Sequence, residues 1–232
     1  CNEYFPSGGP SLRDVKMIYE DRRGDLWIGT YGGLARISQD HITTWTKHEG
    51  LPSNRVRYIH EDTDGVFWIG TYDGGLSRFK NGRFTNYNIE NGLYNNGVFQ
   101  ILEDARGIFW MGCNKGIYRV SKQQLNDYAD GKISSIICVA YGEQDGMRNV
   151  ECNGGRQPAG LRARDGKLWF PTLDGVVVVD SEAAPFNRVP PPVQIESVLL
   201  DRHIMDFRES VRVEPNQKYL EIEYAGLSFV KS

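Results

Sequence analysis

Val56 to Thr71 reads VRYIHEDTDGVFWIGT, and the same phrase stands at Val15 to Thr30 as VKMIYEDRRGDLWIGT and at Val98 to Cys113 as VFQILEDARGIFWMGC. Each copy is followed by a second phrase: Gly32-Gly33-Leu34-x-Arg36-Ile37, Gly74-Gly75-Leu76-x-Arg78-Phe79 and Gly116-Ile117-x-Arg119-Val120. A worn fourth copy runs from Asp165 to Thr172 and continues into Gly175 and a valine run. Trp27, Trp68, Trp110 and Trp169 therefore mark one position of a repeating unit, in steps of 41, 42 and 59 residues. Such a period marks an architecture in which neighbouring units bury one another's apolar faces.

Within the first unit, Val15 and Ile18 open a strand, and a turn ending at Gly24 reverses the chain into Leu26 to Thr30. Gly32-Gly33 turns it again into Leu34 to Ile37, and Ile42 to Trp45 makes a fourth strand, matched by Phe84 to Tyr87 and Ile133 to Cys138. Four short antiparallel strands per unit describe a propeller blade. The expected fold is all-β, a partial β-propeller of about four four-stranded blades, with the second-strand tryptophans packed between blades.

The long last step calls for insertions. Gly50, Gly92 and Gly146 close successive units and place most of the extra residues at Ser121 to Lys132, with a shorter insertion between Met147 and Gly160. Ser121 suits an N-cap, Gln124 completes a capping box and Gly131 suits a stop, so a short helix is expected. Arg188 to Pro192 form a proline-rich break. It divides the chain into residues 1–188 and 189–232. Beyond it Val193, Ile195 and Val198 suggest a strand, and Leu220, Ile222 and Tyr224 alternate with Glu221 and Glu223 as a half-buried strand should.

The 26 glycines among 232 residues exceed the typical share of about 7%, in keeping with tight turns. With 27 basic against 30 acidic residues, the net charge of -3 supplies no basic field for a phosphate backbone, so nucleic acid is not an expected partner. The apolar runs, Ile136 to Tyr141 and Val176 to Val179, fall short of the roughly 20 residues that cross a bilayer as a helix. Cys1, Cys113, Cys138 and Cys152 form no C-x-x-C pair and read as small buried hydrophobes. The chain opens at Cys1 within a repeating unit, so further sequence is expected upstream, and Ser232 is not expected to be the natural end.

The adjacent acids Glu20-Asp21, Glu61-Asp62 and Glu103-Asp104 recur at one turn of each unit. A catalytic pair is needed once, whereas an acid repeated at every turn is suited to accepting turn amide hydrogens. Asp62-x-Asp64-Gly65 opens like a calcium loop, but Val66 and Phe67 follow where oxygen ligands are required, and a hairpin turn is the better reading. His41, His48, His60 and His203 fall into no metal or hydrolase motif, and no phosphate-binding or dinucleotide loop is present. No catalytic residue, metal site or cofactor is expected.

The repeated phrase V-x-x-I-x-E-D-x-x-G-x-L-W-I-G-T followed by G-G-L resembles the two-component regulator propeller repeat, over roughly residues 15 to 180. Tyr219 to Phe229 resembles the start of the triple-tyrosine, immunoglobulin-like domain that follows such propellers. The resemblance implies the first strands of a β-sandwich over 189–232. It also implies a periplasmic, ligand-sensing region of a bacterial receptor, whose histidine kinase or diguanylate cyclase output lies outside these residues. The remaining blades and that output domain would be partners, and the full-length protein would be a homodimer.

In a propeller, the loops entering each first strand share one face with those joining second to third strands. On that face the entering loops supply Arg13, Asn54, Arg55, Asn96, Arg156 and Gln157, and the second-to-third loops supply Tyr31, Tyr72, Asp73 and Asn114. These residues suit a small polar or carbohydrate-like ligand through hydrogen bonds and ring stacking. The rival readings are a propeller-channel enzyme of the lyase or lactonase type, which needs acid-base or metal residues at unique positions, and a protein-binding scaffold.

Overall fold

A computed structural model describes residues 14–39, 41–184, 193–201, 203–206, 213, 215 and 218–226. By internal contacts the chain divides into one unit ending at Ala183 and a second from Ala184 to Ser232. The expected linker, Arg188 to Pro192, lies outside the described residues, as do Arg13 and Cys1.

The first unit holds three four-stranded antiparallel sheets and one of three strands. Blade 1 comprises β1 (Val15–Glu20), β2 (Leu26–Thr30), β3 (Leu34–Ser38) and β4 (His41–Trp45). Blade 2 comprises β5 (Val56–Glu61), β6 (Phe67–Thr71), β7 (Leu76–Lys80) and β8 (Arg83–Tyr87). Blade 3 comprises β9 (Gln100–Glu103), β10 (Ile108–Cys113), β11 (Gly116–Ser121), the helix α1 (Lys122–Ala129) and β12 (Val139–Tyr141). Blade 4 has only β13 (Leu161–Arg162), β14 (Leu168–Thr172) and β15 (Gly175–Val179), one strand fewer than expected among the described residues. No helix among these residues is long and apolar enough to cross a membrane.

The repeated residues build the turns and the seams between blades. Asp62 Oδ1 accepts the amides of Asp64 and Val66, and its Oδ2 accepts the Trp68 indole at 2.9 Å. Asp21 and Asp104 do the same for Trp27 and Trp110. The aspartate of each Glu-Asp pair is therefore the turn acceptor and also fixes the tryptophan that fills the seam, whereas Glu61 and Glu103 reach to the neighbouring blade instead. The Trp27 ring stacks on Phe67 of blade 2 at 4.2 Å, and Trp68 meets Phe109 of blade 3 edge-on at 5.0 Å. The glycine two residues after Trp27, Trp68 and Trp110 lets the next blade close in. A Cβ on Gly70 would stand 2.5 Å from the Val98 carbonyl oxygen.

Three expectations fail here. Trp169 is 40% exposed rather than packed in a seam. Ala163 stands where the other units carry the aspartate, and no following blade covers the ring among the described residues. The helix forms, with Gly131 in the left-handed region after it, but Ser121 makes no side-chain cap. The Lys122 amide already donates to the Gly107 carbonyl, and Gln124 turns instead to the Ile137 amide. The fourth strand of blade 3 is Val139–Tyr141, not Ile133 to Cys138. The Ile136 amide is drawn to the Asn91 carbonyl of the preceding unit, and ladder pairing with β11 begins only at Val139.

The second unit is a three-stranded antiparallel sheet in the order β17 (His203–Ile204), β16 (Val193–Leu200), β18 (Leu220–Gly226). Val198 and Leu200 are buried, whereas Leu220, Ile222 and Tyr224 are exposed, so β18 is not the half-buried strand its alternation suggested. No second layer covers that face among the described residues. Residues 227–229 of the expected tyrosine-rich segment lie outside them.

Candidate functional site

The inner strands β1 and β5 each carry an irregularity near their start, between Val15 and Met17 and between Val56 and Tyr58. A bulge leaves one residue out of the ladder and re-aims its side chain. The two residues are Lys16 and Arg57, at equivalent positions of their units, and Phe99 holds that position in blade 3. All three gather around two tyrosines from the second-to-third loops. The Tyr31 and Tyr72 rings lie 6.3 Å apart, and Tyr72 stacks on Phe99 at 5.8 Å. Over Tyr31 stand Lys16 at 4.5 Å, Arg57 at 5.0 Å and Arg55 at 5.7 Å; over Tyr72 stand Arg57 at 4.9 Å and Arg55 at 5.4 Å.

Arg57 is the centre of this arrangement and is only 8% exposed. Its Nη1 donates to the Gly154 carbonyl at 2.6 Å, while its Nε has no hydrogen-bond partner. Gln157 Nε2 donates to the carbonyls of Arg57, at 3.1 Å, and Phe99, at 3.4 Å. The shorter insertion, between Met147 and Gly160, thus forms a strap that leaves blade 4 and lands on the inner strand of blade 2. Gly154 permits the crossing, since a Cβ there would stand 2.4 Å from that of Phe99.

Of the ten residues expected to meet a ligand, the structure joins Tyr31, Arg55, Tyr72, Asp73 and Gln157. Arg55 pairs with Asp73 at 3.5 Å, and the Tyr72 amide donates to the Arg55 carbonyl. Asn54 and Asn96 are engaged in shaping loops, their Oδ1 atoms accepting the Lys47 and Ile89 amides. Asn114 and Arg156 are exposed, and no hydrogen bond ties them to the cluster among the described residues. Arg57, Lys16 and Phe99 were missed. They fill the first of the two variable positions of V-x-x-I, beside Met17, Tyr58 and Gln100, and variation alone does not set them apart.

At the other end of the inner strands a recess of about 580 Å³ lies among Arg22, Tyr58, His60, Glu61, Glu103 and Arg162. Its acids tie blade to blade. Glu61 accepts the Tyr19 hydroxyl at 3.0 Å, and burial together with this acid pushes the phenol up to about 12. Glu103 meets His60 Nε2 at 3.0 Å and Lys122 Nζ at 2.6 Å. Burial works against its ionisation, but the bonds to His60 and Lys122 prevail and hold its carboxyl below the usual range. Among the described residues no group of three or more His, Cys, Asp or Glu side chains converges as a metal site requires.

Stacked antiparallel blades, seamed by repeated tryptophans and bearing a loop cluster at one end of the inner strands, define a β-propeller domain. Comparison narrows the class: residues 8–32 and 50–73 match the two component regulator propeller family. Among solved structures, the fold is similar to the extracellular domain of the proposed hybrid two component system BT3049 of B. thetaiotaomicron. The TM-score is 0.65 at 22% identity, over 94% of this chain and 28% of that one. The extracellular domain of BT4673 from the same organism gives a TM-score of 0.59 at 17% identity, over 93% of this chain and 31% of that one. PorZ, a surface component of the type-IX secretion system of Porphyromonas gingivalis, gives 0.53 at 14% identity, over 76% and 28%. The chain thus spans less than a third of each of these structures. Comparison with curated proteins yields no match.

Proposed function

We propose that this chain is part of the ligand-sensing region of a periplasmic receptor. Its regulator-propeller blades lead, from residue 189, into the start of a triple-tyrosine, immunoglobulin-like relay domain. A small polar or carbohydrate-like ligand is taken at the loop face by Tyr31, Arg55, Tyr72, Asp73 and Gln157, joined by Lys16 and Arg57. The reading rests on one observation above all: each of the four blades sends a side chain or a strap to a single buried guanidinium at that face. The region binds and does not catalyse. A kinase or cyclase output outside this chain responds, the remaining blades of the receptor complete the ring, and the full-length receptor works as a homodimer.

The mechanism follows from where the ligand would sit. Tyr31 belongs to blade 1, Arg55 and Tyr72 to blade 2, and Gln157 to the strap of blade 4, so one bound molecule bridges three blades. A ligand favouring one arrangement raises its population by its differential affinity, and the output reads that shift.

The test is a panel of neutral and acidic disaccharides, screened by thermal shift and then by isothermal titration calorimetry, against wild type, Tyr31→Ala and Arg55→Gln. At least one sugar is expected to raise the melting temperature, and both variants to weaken its binding about tenfold, as loss of one good polar contact does. If no sugar shifts the protein while a stoichiometric protein partner co-purifies with it, the sensing reading is overturned in favour of a scaffold.

A further inference from the structure

The loop face carries an electrostatic demand that polar recognition alone does not meet. Buried charges are normally paired with an opposite charge. Arg57 is nine-tenths buried, its one hydrogen bond goes to a neutral carbonyl, and no carboxylate pairs with it among the described residues. The two cations beside it are partly answered, Arg55 by Asp73 at 3.5 Å and Lys16 by Asp14 at 2.6 Å. Tyr31 and Tyr72 already have guanidinium or ammonium groups over their rings, so this face offers a newcomer cations rather than an open stacking face.

We infer that the ligand of this face carries a negatively charged oxygen group, a carboxylate or a sulfate, on its sugar ring. This rests on the function proposed above and specifies the class of ligand within it. The anion sits among Arg55, Lys16 and the Tyr31 and Tyr72 hydroxyls, and the charge of Arg57 behind the rings is the part it neutralises. Two bulges in consecutive blades deliver Lys16 and Arg57 to the same place, which is how two inner strands come to bring cations together at one end.

The experiment uses the whole chain and four probes: digalacturonate, its dimethyl ester, galactose 6-sulfate and unsubstituted galactose. Titration calorimetry is run at low and at moderate salt. An anionic probe is expected to bind about tenfold more tightly than its uncharged counterpart, as charge-assisted hydrogen bonds surpass neutral ones. Its affinity should fall with added salt, and Arg55→Gln should remove most of the difference between acid and ester. Digalacturonate winning alone assigns a carboxylate, and galactose 6-sulfate winning alone assigns a sulfate. If the ester or galactose binds as tightly as the charged probe, the anionic assignment is overturned while the sensing reading stands. If none of the four binds and the wider sugar panel is also silent, both fall. Arg57→Met also frees the buried Gly154 carbonyl, so it is read by affinity and not by melting temperature. The ratio of acid to ester affinity should fall in it, and an unchanged ratio in a folded variant would assign Arg57 to packing alone.

Discussion

Asp62 engages both carboxylate oxygens, one with two turn amides and the other with the indole beneath them. Asp62→Ala leaves three donors without that acceptor in a buried turn, and each such orphan costs about 1–3 kcal/mol. The expected result is a lower urea midpoint at unchanged slope, with a total loss of about 3 kcal/mol or more. A loss no greater than that of an exposed substitution would refute the acceptor role. The cysteines are a second case at this scale. Burial pushes the thiol of Cys113 up to about 11 and that of Cys152 up to about 12. Both should react slowly with a thiol reagent at neutral pH and rapidly in denaturant; fast labelling of the native protein would contradict this.

At the scale of the element, what the repeat made legible were the strands and turns. Leu26 to Thr30 was readable to the residue as β2, because Gly24 and Gly32 punctuate it and every unit repeats the punctuation. Arg57 was not legible, for the converse reason. Recurrence singles out Val56 and Ile59 but not the two positions between them, which change from unit to unit, and a bulge is not visible as a hydrophobic pattern. Asn54 and Asn96 fasten loops through their Oδ1 atoms, a role not visible in sequence because amides that fasten loops and amides that bind sugars look alike there.

The seams between elements can be tested directly. Gly70→Ala would drive a methyl against the Val98 backbone, and overpacking of this kind costs about 1–3 kcal/mol. Gly65→Ala has open space around it and meets only the left-handed backbone, at about 1–2 kcal/mol. Gly70→Ala should also loosen the seam, seen as faster hydrogen exchange in β6 and β9, which Gly65→Ala should leave unchanged. The acids at the other end of the blades set the pH response. Asp21 and Glu103 both titrate below their usual range: burial opposes their charge, but hydrogen bonds from Trp27 and backbone amides to Asp21, and from His60 and Lys122 to Glu103, outweigh it. Their stabilisation is complete above the unfolded carboxylate values, near pH 4, and is lost as pH falls through the lower folded values. The melting temperature should therefore drop between pH 5 and 3, as linkage requires, and Glu103→Gln should make that drop shallower. An unchanged profile in the variant would remove Glu103 from the account.

For the molecule as a whole, the first and fourth blades present apolar residues that seams would otherwise hide: Val15, Ile18 and Leu26 on one, Leu161, Trp169, Val176 and Val178 on the other. Exposed apolar patches of this kind promote association. The chain as it stands is expected to sediment faster as its concentration rises, and Trp169→Lys with Val176→Lys to reduce that trend; a concentration-independent monomer would contradict it.

The strap gives the molecule a different kind of coherence. In a linear run of repeats each unit answers only to its neighbours, so stability is close to a sum of local terms and a terminal repeat can fray by itself. Here Gly154 and Gln157 carry blade 4 past blade 3 to the inner strand of blade 2. Fraying of the last blade would therefore uncover the guanidinium of Arg57 two repeats away and strip an acceptor from it. The array is expected to melt as one cooperative block rather than unzipping from its end, with the amides of blade 4 exchanging at nearly the rate of those in blade 2.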